Sequence, residues 1–129
     1  MYPEELLYTR DHEWVRVDGN VAAVGITDHA QKELGDIVFV ELPQVGTRVA
    51  AKESLGTVES VKAVADVYSP VSGDVIATNP KLQKAPELLN SDPHGDGWLV
   101  QLKLKDRTET ESLMSAEEYE AYLEGGAKG

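Results

Sequence analysis

Short apolar runs, interrupted by Gly, Pro, Asn or Asp, dominate this chain. Runs of this kind, rich in Val and alternating with polar positions, predict β-strands joined by tight turns. Glu13 to Val17 alternates, with Trp14 on one side and Arg16 beside it. Asp18-Gly19-Asn20 supplies a turn, and Val21 to Ile26 begins the second arm of a hairpin. Ile37 to Val40 reads as a buried-type strand stopped by Pro43, and Val45-Gly46 helps turn the chain. Val49 to Ser60 and Ala63 to Tyr68 read as two strands that reverse direction around Lys62. Ser72-Gly73 reads as another turn before the strand Asp74 to Ala77. Trp98 to Lys105 alternates cleanly, as a strand half exposed to water does.

Helical signals are fewer. Thr27 or Asp28 caps a short helix through Leu34, which Gly35 ends in a left-handed conformation. The polar, Pro-bearing stretch from Asn79 to Gly97 reads as a loop with one helical turn near Pro86-Glu-Leu-Leu89. Ser115-Ala-Glu-Glu118 fits a capping box, Tyr119, Tyr122 and Leu123 share a face, and Gly125-Gly126 stops the helix. Residues beyond Gly125 are expected to fray. Many short strands with few helices predict a small sandwich or flattened barrel. No linker is visible, so residues 1–129 read as one domain.

Composition narrows the function. With 129 residues, 41% hydrophobic and 27% charged, the chain is long enough for a real core. A net charge of −11 disfavours nucleic acid and anionic membrane surfaces as partners. It favours docking onto basic patches of other proteins. No apolar stretch has spanning length, and Met1-Tyr-Pro-Glu-Glu resembles neither a secretory signal nor a transit peptide. The expectation is a cytoplasmic protein, although a processed organellar form has the same appearance. The absence of cysteine excludes structural disulfides, thiolate metal sites and cysteine nucleophiles.

The candidate chemistry centres on Lys62. A hairpin tip carries little packing of its own, so this lysine should stand in solvent on a stiff support. A catalytic lysine needs burial or a cationic neighbour to lower its pKa. Here the nearest charges in sequence are Glu59 and Asp66, which favour the ammonium form. The pattern therefore suits enzymatic acylation of Lys62 better than Schiff-base catalysis.

Glu59-Ser-Val-Lys62-Ala, followed by Asp66-Val-Tyr-Ser-Pro-Val-Ser-Gly73, closely resembles the lipoylation segment of the glycine cleavage system H-protein family. His12-Glu-Trp14, Gly25-Ile-Thr-Asp-His-Ala-Gln31, Gly35-Asp-Ile-Val-Phe-Val-Glu-Leu-Pro43 and Gly97-Trp-Leu99 resemble the family's other signature stretches in the same order. The likeness runs from about Tyr8 to Leu123. It implies a mostly β, lipoyl-domain-like flattened barrel or sandwich of two antiparallel sheets related by approximate two-fold symmetry, with a short inserted helix and a C-terminal helix.

The resemblance also implies a non-catalytic carrier with lipoic acid joined to Lys62 as an amide. The arm would take an aminomethyl group from glycine on the P-protein decarboxylase and present it to the tetrahydrofolate-dependent T-protein. Dihydrolipoamide dehydrogenase, the L-protein, would reoxidise it. A lipoate ligase or a lipoyl or octanoyl transferase would attach the arm. The family's resting cleft matches Glu13 and Asp66, suitable partners for an ammonium group. Taken without the resemblance, Glu13 reads as the water-facing residue of an edge strand, and Asp66 as part of the turn. Glu33, where some relatives carry histidine, and His29 are further cleft candidates.

Other features carry less. His12 and His94 are too scattered in sequence to suggest zinc, and no metal site is expected. Gly95 and Gly97 lack the strand–loop–helix context of a phosphate loop. Biotin domains flank their lysine with methionine, whereas Val61 and Ala63 stand here. Gly56 and Gly73 are expected to allow close backbone approach. Two other functions remain open: a relay that supplies lipoyl groups to other complexes, and a lipoyl module of a 2-oxoacid dehydrogenase. The second is disfavoured because no linker or catalytic domain accompanies it.

Overall fold

A computed structural model describes residues 2–126. The chain begins with β1 (Leu7–Tyr8), the hairpin β2 (Glu13–Asp18) and β3 (Val21–Ile26), then α1 (Asp28–Leu34) and β4 (Ile37–Glu41). There follow β5 (Arg48–Val49), β6 (Ser54–Ser60), β7 (Val64–Tyr68) and β8 (Gly73–Thr78). Two helical turns, α2 (Lys81–Lys84) and α3 (Leu88–Ser91), lead to β9 (Val100–Leu104). A 3₁₀ turn over Arg107–Ser112 precedes the last helix, α4 (Ala116–Ala121), which continues as a π turn over Tyr122–Gly126.

Two antiparallel sheets result, as the resemblance implies. The larger has the order β1-β2-β3-β9-β8-β5, and the smaller β4-β6-β7. Inward-facing Val15, Val24, Val40, Val58, Val67, Val75 and Leu102 form the main core. On the outer face of β2, Leu6, Tyr8, Trp14, Ala116 and Tyr119 form a second cluster that fastens α4. Residues on a strand alternate between faces, so β2 divides its duties. Trp14 packs outward under α4, while Glu13, Val15 and Val17 point between the sheets.

Several expectations hold in detail. Asp18 pairs with Val21 across a two-residue loop, and Gly19 takes a φ of +62°, as the first central position of a type II′ turn requires. Thr27 caps α1 by accepting the Ala30 N–H, and Gly35 ends it, though at φ +82°, ψ −157° rather than in the expected left-handed helical conformation, in a region essentially reserved for glycine. The capping box at Ser115 and Glu118 is complete in both directions. Added Cβ atoms would lie 2.1 Å from the Glu41 carbonyl oxygen at Gly56 and 2.4 Å from that of Lys103 at Gly73. Both glycines therefore permit close backbone approach.

Other expectations need correction. Val49 to Ser60 is not one strand: Arg48–Val49 pairs in the larger sheet and Ser54–Ser60 in the smaller. Between them Lys52 adopts a φ of +74° and donates its N–H to Ser69 O at 2.6 Å, carrying the chain from sheet to sheet. Gly73 belongs to β8, paired with both Val49 and Leu104. β4 is only half buried, because a register shift between Ile37 and Phe39 leaves Val38 and Phe39 exposed. The long loop contains two helical turns, seated by the buried Leu82 and Leu89. The C-terminal turn passes through both glycines, so Gly126 is not frayed as expected, and the rest of the expected fraying, at 127–129, lies outside the described residues.

Candidate functional site

Lys62 occupies the tip between β6 and β7 and is exposed, as expected of an acylation target. Its support is local and specific. The Ser60 side-chain oxygen accepts the Lys62 N–H at 3.2 Å and the Ala63 N–H at 3.1 Å, and its hydroxyl donates to Ala63 O at 3.3 Å. The Ser60 N–H also reaches Ala63 O at 2.8 Å, and the Val61 N–H reaches Asp36 O at 3.0 Å. Ser60 is buried while Val61 and Val64 are 69% and 65% exposed. The tip is thus pinned from beneath while its outer surface stays open. The lysine stem lies against the end of α1: a Cβ on Gly35 would stand 3.2 Å from Lys62 Cε.

Beside this tip lies a cleft of about 200 Å³, walled by Glu13, His12 and Asp11 from one side, Glu33 and Leu34 from α1, and Asp66 from β7. Three of the candidates read from the sequence, Glu13, Asp66 and Glu33, are therefore brought together. Glu13 is only 3% exposed, so the water-facing reading of this residue is wrong. It shares the inward face of β2 with Val15, at the end of the core. Its carboxylate accepts the Thr9 hydroxyl at 2.7 Å and the Tyr68 backbone N–H at 3.2 Å. Burial outweighs these bonds and pushes the Glu13 carboxyl up to about 7. Asp66 is exposed and takes a long hydrogen bond from the Ser54 hydroxyl at 3.4 Å.

His29 does not wall this cleft; His12 does. The two histidine rings nevertheless face each other with centroids 4.4 Å apart, correcting the view of His12 as isolated. His12 takes a φ of +69°, and its Nδ1 lies 2.7 Å from the Tyr119 hydroxyl. That hydroxyl is also 2.8 Å from Thr27 Oγ1. Burial and the facing His29 hold His12 below the usual imidazole range, favouring its neutral form. No sequence spacing announces this meeting, because His12 and Tyr119 come from opposite ends of the chain. His94 stands apart, accepting the Asp28 N–H at 3.1 Å.

A family profile described as "Glycine cleavage H-protein" matches residues 6–126. The chain belongs to the glycine cleavage H-protein family. This family is the lipoyl carrier of the glycine cleavage system. The glycine cleavage system H protein of Halothermothrix orenii is 58% identical over 122 residues, covering 95% of each chain. That of Rubrobacter xylanophilus is 57% identical over 122 residues, covering 95% of this chain and 94% of the relative. A crystal structure of a glycine cleavage system H protein from Mycobacterium marinum superposes with a TM-score of 0.88 at 38% identity, covering 95% of this chain and 99% of that one. Among the described residues, no helix is long and apolar enough to cross a membrane. Within this H-protein framework, the hairpin tip and the neighbouring cleft are the places to seek the carrier's working residues.

Proposed function

We propose that Lys62 Nζ is the attachment point for lipoic acid, and that the adjoining cleft shelters the aminomethyl cargo of glycine cleavage. The single observation that carries this reading is the pinned, exposed tip beside a cleft containing a buried carboxylate. Bound lipoate would supply a disulfide and dithiol that pick up and release the one-carbon cargo and its electrons. The chain itself contributes position and charge, with no bond-breaking step of its own. Ser60 fixes the backbone on which the arm is mounted. Gly35 leaves the space in which the Lys62 stem crosses the end of α1.

Glu13 and Asp66, both lining the cleft, are suited to hold a cationic amine there. Glu13 is the stronger partner because it is dry, and a charge-assisted bond gains strength where water is excluded. An arriving cation also lowers the carboxyl's raised pKa and favours the ionised form. Glu33, at the rim, adds negative charge near the entrance. Val38, Phe39, Val61 and Val64 leave apolar surface on the smaller sheet and its hairpin. That surface suits the P-, T- and L-proteins and the lipoate-attaching enzyme, which must each approach the arm.

Incubation with lipoate, ATP and a lipoate ligase, followed by intact mass measurement, tests the attachment. A single lipoyl increment in the native chain and none in Lys62→Arg is expected. An increment that survives the substitution overturns the assignment. Glycine–bicarbonate exchange with a P-protein then tests the carrier role, since a lipoate relay would be lipoylated yet silent in exchange.

A further inference from the structure

We propose that His12, His29 and Glu33 form a binding site for one divalent transition-metal ion of the zinc type. Donor atoms from the three side chains all lie within 4.8 Å of one another. His29 and Glu33 are one turn apart on the same face of α1, with His29 Nε2 and Glu33 Oε1 3.4 Å apart. Ligands at zinc bond lengths of about 2.0–2.2 Å in a tetrahedron stand roughly 3.3–3.5 Å from one another. This pair already has that spacing. His12, whose donor lies within 4.8 Å of the other two, completes the set once its ring turns inward.

The third donor is held in place from behind. Tyr119 occupies Nδ1 of His12 at 2.7 Å, which leaves Nε2 for an ion. A hydrogen bond to the far nitrogen is the usual means of orienting a ligating imidazole. The same Tyr119 hydroxyl lies 2.8 Å from Thr27 Oγ1, and Thr27 caps the helix that bears the other two donors. One chain of polar contacts therefore sets His12 against α1. A surface His–Glu pair would account for His29 and Glu33, with Glu33 67% exposed. It gives no reason for a second imidazole, on a left-handed backbone, to face the first.

Two imidazoles and one carboxylate suit zinc, cobalt, nickel or copper, whereas magnesium and calcium seek oxygen donors. Three protein ligands leave a fourth position for water. His12 and Glu33 also wall the cleft, so an ion would sit at its mouth. That consequence rests on the proposed function, while the metal binding itself does not.

Titration of the purified, lipoate-free full chain with zinc chloride by calorimetry, and with cobalt chloride by visible absorption, tests the site. The expected result is one ion per chain and an intense tetrahedral cobalt spectrum. His12→Asn, which tolerates the left-handed backbone, should weaken binding roughly tenfold or more, as should His29→Gln and Glu33→Gln. Tyr119→Phe should weaken it by about tenfold through loss of ring orientation, with circular dichroism verifying the fold of each variant. Absence of binding at millimolar zinc overturns the proposal. So does binding of unchanged affinity in the His12→Asn/His29→Gln double variant, or a weak octahedral cobalt spectrum. Because the protein carries no lipoate in this experiment, failure here leaves the reading of Lys62 intact.

Discussion

The Glu13 carboxylate accepts the backbone N–H of Tyr68 at 3.2 Å, joining β2 of the larger sheet to β7 of the smaller. Asp66 lies two residues before Tyr68 on the same strand. One acid therefore helps set the position of the strand that bears the other. The placement carries a cost, because an ionised carboxylate in this inward position loses most of its hydration.

That cost predicts a pH dependence. With its carboxyl raised from 4.5 to about 7, Glu13 binds a proton more tightly in the folded chain than in the unfolded one. Between those values the folded state holds more protons, so this group's contribution to stability falls as pH rises through the window. The total loss is on the order of 3 kcal/mol. Glu13→Gln has no such proton to lose. Urea unfolding of both proteins across this range should show the variant gaining on the native chain as pH rises. A stability difference independent of pH contradicts the argument.

Ser60 should matter as much to the tip as Lys62 does to the chemistry. Its buried side-chain oxygen accepts two N–H groups that a Ser60→Ala variant would leave without that partner. The loss should be about 1–3 kcal/mol of stability. Lipoylation by a ligase should slow as well, because the acceptor amine would no longer sit on a fixed turn. Time-resolved intact mass measures the rate. An unchanged rate at full folding would mean that the enzyme moulds the tip for itself.

Local patterning made the hairpins, the Thr27 cap and the Ser115 capping box legible, because each depends on residues within a few positions. It misjudged what depends on distant partners. The crossing at Ala50–Glu53 is invisible in a tract whose flanks both read as strand, since only pairing separates Val49 from Leu55. Glu13 reads as a water-facing edge-strand residue from its local pattern alone. Its burial follows from β7 arriving across the end of the core. Lys62, Glu13, Asp66 and Glu33 were nameable through the resemblance, whereas His12 joins His29 only when the loop after β1 folds over α1.

Gly25 should tolerate no side chain. A Cβ there would stand 2.5 Å from Trp14 Cε2 and Cζ2. Trp14 cannot easily yield, being fully buried and bonded through its indole N–H to Pro93 O at 2.8 Å. Gly25→Ala is expected to cost about 1–3 kcal/mol by overpacking, read as a lowered Tm. Lys62 should remain a good substrate for lipoylation while the protein stays folded, since its hairpin belongs to the other sheet. A variant of native Tm would show that the indole can shift after all.

The two cleft carboxylates should protect cargo unequally. A dry, charge-assisted contact contributes about 1.5–3 kcal/mol, whereas an exposed ion pair contributes about 1 kcal/mol or less. Glu13→Gln should therefore shorten the lifetime of the aminomethyl-loaded carrier by roughly ten- to a hundredfold. Asp66→Asn should shorten it only a few-fold. Protection in the native chain should also strengthen as pH rises towards the raised Glu13 value of about 7, because more of the carboxyl is then ionised to meet the ammonium. Glu13→Gln should lose that pH dependence, while Asp66→Asn retains it. The loaded carrier, prepared with a P-protein and separated from it, can be followed by mass as the cargo is shed. Equal lifetimes in all three proteins would remove both carboxylates from the holding role and leave Glu13 as a tie between the sheets.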